Sequence, residues 1–137
     1  MSLQEFLNAN PIDNLTDEVA ISDRFKDKEG KLLKFKIKAM NSDEFEDLRK
    51  KSMKVSAGKR RTVELDLKQF NNAIVIGFTL EPNFKDAESI KKIGCMTPEQ
   101  YLDKVLLPGE IAELSNQIQQ LSGFNKDMDE LVDEAKN

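Results

Sequence analysis

Apolar positions recur along this chain with two periods, a spacing of two in its first third and a spacing of three to four further on. Leu3, Phe6 and Leu7 fall on one side of a short helix over 2–8, which Asn10-Pro11 stops. From about Asp17 to Phe25, Val19, Ile21 and Phe25 alternate with polar residues. From Leu32 to Met40 the alternation is cleaner, with Leu33, Phe35 and Ile37 between Lys34, Lys36 and Lys38. Lys26-Asp27-Lys28-Glu29-Gly30 separates the two runs, so the pattern predicts a β-hairpin with a loop of about five residues.

Asn41 or Ser42 then caps a helix whose first turn is acidic and whose end, Arg49-Lys50-Lys51, is basic, matching both ends of the helix dipole. Residues 54–61 have no periodicity and read as a mobile basic loop. Thr62–Leu65 is a candidate third strand. Asp66-Leu67-Lys68-Gln69 opens a helix from 67 to about 79 that is apolar almost all round and therefore predicted to be the most buried. Glu81-Pro82-Asn83-Phe84 reads as a turn, and a short helix over 87–93 ends at Gly94. Thr97-Pro98-Glu99-Gln100 is a strong helix start, and after Pro108 a last helix places Ile111, Leu114, Ile118 and Leu121 on one stripe until Ser122-Gly123. The acidic remainder, 125–137, is either a weakly held helix or a frayed tail. The predicted fold class is α+β: a small antiparallel β-sheet covered by several α-helices, in a single domain over 1–124.

Composition removes whole classes of chemistry. The 137 residues include no His, no Trp and one Cys, which excludes zinc sites built on Cys and His and nucleophiles activated by His. The start of the chain lacks the charged and apolar regions of a signal peptide, and the longest apolar run, Ala73–Phe78, is far below the roughly 20 residues of a membrane span. A lone thiol and no such segment predict a protein of a reducing cytoplasm. Net charge is −4, but residues 24–61 carry +8 between flanks of −5 and −7. Lys34, Lys36, Lys38, Lys59, Arg60 and Arg61 would serve a nucleic-acid-associated regulator. Lysines alternating with apolar residues are also the solvent face of a half-buried strand, and no aromatic platform accompanies them, so the second reading is preferred. The acids at 43–47 and 127–134 lack the glycine-bearing ligand pattern of a calcium loop. Cys95 lacks a His base. No catalytic, cofactor or metal site is predicted.

One pattern is more specific. Leu106-Leu107-Pro108-Gly109-Glu110-Ile111-Ala112-Glu113-Leu114-Ser115-Asn116-Gln117-Ile118, followed by Leu121-Ser122-Gly123-Phe124, resembles the XkdN-like tail assembly chaperones of PBSX-type prophages. Ser42–Lys51, Pro82–Asp86 and Thr97-Pro98-Glu99 agree with the same family, so the resemblance runs from about residue 2 to 125. It implies a non-enzymatic protein of the host cytoplasm, absent from the finished virion. The implied partner is the phage tape-measure protein, kept soluble while tail-tube subunits assemble around it; the tail-tube protein and a second copy of the chain are further partners. Ile111, Leu114, Ile118, Leu121 and Phe124 are then the residues for partner contact. The same stripe could equally pack the domain's own core.

Overall fold

The computed structural model describes residues 2–12, 15–56 and 62–124. Strands β1 (Thr16–Val19) and β2 (Phe35–Lys38) form the antiparallel hairpin, with Thr16 opposite Lys38 and Val19 opposite Phe35. The strands are shorter than the alternation suggests, and the connection between them is longer. Its tip is tight: the Asp27 carboxylate accepts the N–H groups of Glu29 and Lys31, both at 2.9 Å, and Gly30 takes a φ of +84°. Ile21 and Phe25 lie in this connection, yet both pack on the core, and Phe25 meets Phe35 edge-on at 5.0 Å. Beside Phe25 the pairing resumes as a single antiparallel bridge, Lys26 opposite Leu32, with the Phe25 carbonyl accepting the Leu33 N–H at 2.8 Å.

The third strand of this sheet is not the predicted one. It is β5 (Thr79–Glu81), which pairs with β2 through Thr79 opposite Ile37 and Glu81 opposite Lys36, in the order β1-β2-β5. Thr62–Leu65 is indeed a strand, β4, but it pairs with β3 (Met53–Ser56) in a separate two-stranded hairpin. Residues 54–56, expected to be loop, are therefore extended, and 57–61 lie outside the described residues. Each difference has its own cause. Val55 and Val63 stand opposite each other and are 62% and 60% exposed, so this hairpin leaves no buried face in the sequence pattern, while β5 is recruited by β2, some 40 residues away.

Among the described residues six α-helices complete the fold: α1 (Leu3–Ala9), α2 (Ser42–Lys51), α3 (Leu67–Phe78), α4 (Ala87–Lys92), α5 (Pro98–Val105) and α6 (Pro108–Gln119). Their starts follow the caps written in the sequence. Asn41 and Glu44 exchange side-chain-to-backbone hydrogen bonds at 2.8 and 3.0 Å, and Thr97 Oγ1 accepts the Gln100 N–H at 3.1 Å. Thr97→Ala is expected to cost about 1 kcal/mol of stability, read by urea unfolding, because it orphans that N–H. Phe35 and Ile37 point from β2 into a core shared with Phe70, Ile74, Val75 and Phe78 of α3, Leu102 of α5 and the α6 stripe. Lys36 and Lys38 occupy the opposite face. The fold is α+β, with helices packed on one side of the three-stranded sheet.

Candidate partner-binding surface

The α6 stripe is where sequence reasoning placed the partner contact. Leu114 and Ile118 have no exposed surface and Ile111 is 8% exposed, so α6 spends these three side chains against α3 and the sheet. Leu121 is half-buried against the same core. Phe124 differs. Beyond α6 the chain continues through a wider π-type turn, Gln120–Phe124, in which Gly123 adopts a φ of +99°. Ser122 ties this turn down, its hydroxyl donating to the Ile118 carbonyl at 2.7 Å and accepting the Met40 N–H at 2.9 Å. Phe124 is thereby held 56% exposed, with its ring 4.8 Å from that of Phe45 on α2.

Phe45 and Phe124 line a cleft of about 250 Å³ together with Met40 and Ile12, the latter 51% exposed. Ile12 follows α1, whose apolar side is uncovered: Leu3 is 74%, Phe6 50% and Leu7 55% exposed. Sequence reasoning found the α1 stripe as a pattern. It did not find the cleft, which joins residues about 110 positions apart.

Several charged groups have local partners. On the outer face of the sheet Lys36 stands between Glu18 of β1 and Glu81 of β5, so that face alternates in sign. Lys59, Arg60 and Arg61 lie outside the described residues. The 43–47 acids do not converge: Glu44 caps α2, Glu46 pairs with Arg49 at 2.9 Å, and Asp47 pairs with Lys51 at 2.9 Å. The acids at 127–134 lie outside the described residues. Among the described residues no group of three His, Cys, Asp or Glu side chains could hold a metal, and no helix is long and apolar enough to cross a membrane. Cys95 is a half-buried free thiol.

One polar junction was not legible in the pattern. Glu110, only 6% exposed, accepts two hydrogen bonds from the Arg24 guanidinium, at 2.7 and 3.0 Å, and one from the Leu107 N–H at 2.7 Å. Arg24 also donates to the Val105 carbonyl at 2.9 Å and lies over the Phe25 ring at 4.6 Å. The hairpin connection is thus pinned to the α5–α6 joint. The Arg24 hydrogen bonds outweigh burial and hold the Glu110 carboxyl down to about 2, with the Leu107 N–H and the Ser22 hydroxyl acting in the same direction. A Glu at the third position of a helix opened by Leu-Pro-Gly is the one signal in the sequence for its role at that helix start.

Comparison with known proteins places the whole chain. The family model described as phage XkdN-like tail assembly chaperone protein matches residues 3–136. The protein YqbN of Bacillus subtilis (strain 168) is 33% identical over 138 residues, 98% of this chain and 93% of that protein. The phage-like element PBSX protein XkdN of the same organism is 30% identical, with the same shares covered. The crystal structure of YqbN superposes with a TM-score of 0.69 at 31% identity, over 91% of this chain and 98% of that one.

Proposed function

The chain belongs to the phage XkdN-like tail assembly chaperone family, and from that premise we propose that it binds the tape-measure protein, keeps it soluble and assists tail-tube assembly around it. It does so in the host cytoplasm, without catalysis, and leaves before the virion is complete. The observation that carries this reading is the cleft that Ile12, Phe45 and Phe124 line. A cleft whose lining is half apolar and half polar suits an amphipathic helical partner. Phe124, packed against Phe45, is the contact residue in this proposal, and its shallow seat suits a complex that must later come apart. The tail-tube protein and a second copy of the chain are further partners for the same face.

Co-expression with the tape-measure protein of the same phage tests the proposal, scored by the soluble fraction of that protein and its co-purification. Phe124→Ser is expected to lower co-purification at least fivefold with a small change in the thermal midpoint, since the side chain is already more than half exposed. A tape-measure protein equally insoluble with and without the chain would overturn the reading.

A further inference from the structure

Helix α1 has no cover among the described residues. It is seven residues long and none of them is buried. A helix that short is marginal in water on its own, so its local hydrogen bonds matter. Ser2 Oγ accepts the Glu5 N–H at 3.1 Å at its start, and the Asn10 carboxamide donates to the Phe6 carbonyl at 2.9 Å at its end. Leu3, Phe6 and Leu7, at spacings of three and four, form one apolar side, and all three are at least half exposed. The place where this arm leaves the body is marked by Ile12, which lines the Phe124 cleft beside Met40.

An apolar hollow lies elsewhere on the same chain. Phe25, Phe35, Phe84, Tyr101 and Leu106 wall a cavity of about 390 Å³, with the half-exposed Leu33 also lining it. Two aromatic pairs shape it, Phe25 with Phe35 at 5.0 Å and Phe84 with Tyr101 at 6.3 Å. Phe35 opens β2 and Met40 follows its end, so the cavity and the arm belong to opposite ends of that strand. Charge separates them as well. The cavity's own charged residues, Lys34 and Glu81, offset each other, but residues 24–38 hold seven Lys and Arg against two acids. Residues 1–23 hold five acids and no Lys or Arg.

We propose that α1 of one copy seats its Leu3–Phe6–Leu7 side in the aromatic cavity of a second copy. The arm offers an apolar side on an acidic segment, and the cavity offers an apolar lining within a basic one, so shape, polarity and charge select the same occupant. Arm and cavity are different surfaces, which makes the contact head-to-tail. Each copy carries one of each, so association continues copy by copy or closes as a ring. The inference goes beyond the tape-measure proposal and does not depend on it.

Sedimentation velocity of the full chain over a wide range of concentration tests it. The unsubstituted chain is expected to pass beyond the dimer as concentration rises. Phe6→Ser removes a central side chain of the arm, and Leu33→Asp sets a carboxylate at the cavity against the acidic arm; each is expected to lower the association constant roughly tenfold or more. Both residues are half exposed, so the thermal midpoints should change little. The decisive sample is the equimolar mixture. Phe6→Ser keeps its cavity and Leu33→Asp keeps its arm, so together they are expected to form a dimer that grows no further. A chain that stays monomeric, a dimer that ignores both substitutions, or two variants that fail to pair when mixed would each overturn the inference. Co-purification of the tape-measure protein is scored separately, so the chaperone reading stands or falls on its own.

Discussion

Ile118→Asp is expected to abolish the cooperative fold of this protein, leaving no thermal unfolding transition in far-ultraviolet circular dichroism. Ile118 has no exposed surface and lies in the shared core with Leu114, Ile74 and Ile37, also without exposed surface. A carboxylate there has neither water nor a cation, and transfer of an unpaired charge into such a site costs about 5 kcal/mol or more. Whole domains are stable by roughly 5–15 kcal/mol, so the substitution takes most or all of that margin. Ile118→Val removes only one methylene from the same place and is expected to cost about 1 kcal/mol, with the fold intact. The pair of variants isolates burial from identity. A folded Ile118→Asp protein that merely lost its partner would show that the α6 stripe faces outward, against its placement in the core.

That outcome bears on what an amphipathic pattern can convey. The spacing of Ile111, Leu114, Ile118 and Leu121 states that one side of a helix is to be covered, and it is silent on whether the cover is the same chain or another. The helix starts, by contrast, were legible because their causes are local: Asn41 with Glu44, Asp66 with Gln69 and Thr97 with Gln100 are each three residues apart. The α+β class was legible from the change of period. The identity of the third strand was not, because Thr79–Glu81 follows an apolar helix without a break in hydrophobicity and becomes a strand through β2 alone. The β3–β4 hairpin carries no buried face to signal it. Arg24 and Glu110 are separated by 86 positions, a pairing that no local rule reaches.

Removing the charge of Glu110 is expected to destabilise the protein by about 2 kcal/mol at pH 7 and to make that loss disappear in acid. The carboxylate is buried and accepts three hydrogen bonds, two from a guanidinium, while Arg24 itself is about half exposed. That half exposure places the figure below the 3–5 kcal/mol of a fully buried pair. Glu110→Gln keeps the shape and one acceptor, and loses the ionic part of the clamp between the hairpin connection and the α5–α6 joint. The direction with pH follows from the shift. The carboxyl is held at about 2 in the folded protein, below the roughly 4.3 of an unfolded Glu, so the folded state favours its ionised form. Its contribution is complete above about pH 5 and is lost as the pH falls through that window toward 2. Urea midpoints of Glu110→Gln and the unsubstituted chain should therefore lie well apart at pH 7 and converge below pH 3. Other carboxylates titrate in both proteins alike, so the difference between the two isolates this one. Arg24→Met should show the opposite trend. It leaves the Glu110 charge buried with the Leu107 N–H and the Ser22 hydroxyl as its remaining supports, so protonation relieves the variant and its relative stability rises in acid. Parallel pH profiles for all three proteins would mean that the clamp is shape alone, with no electrostatic content.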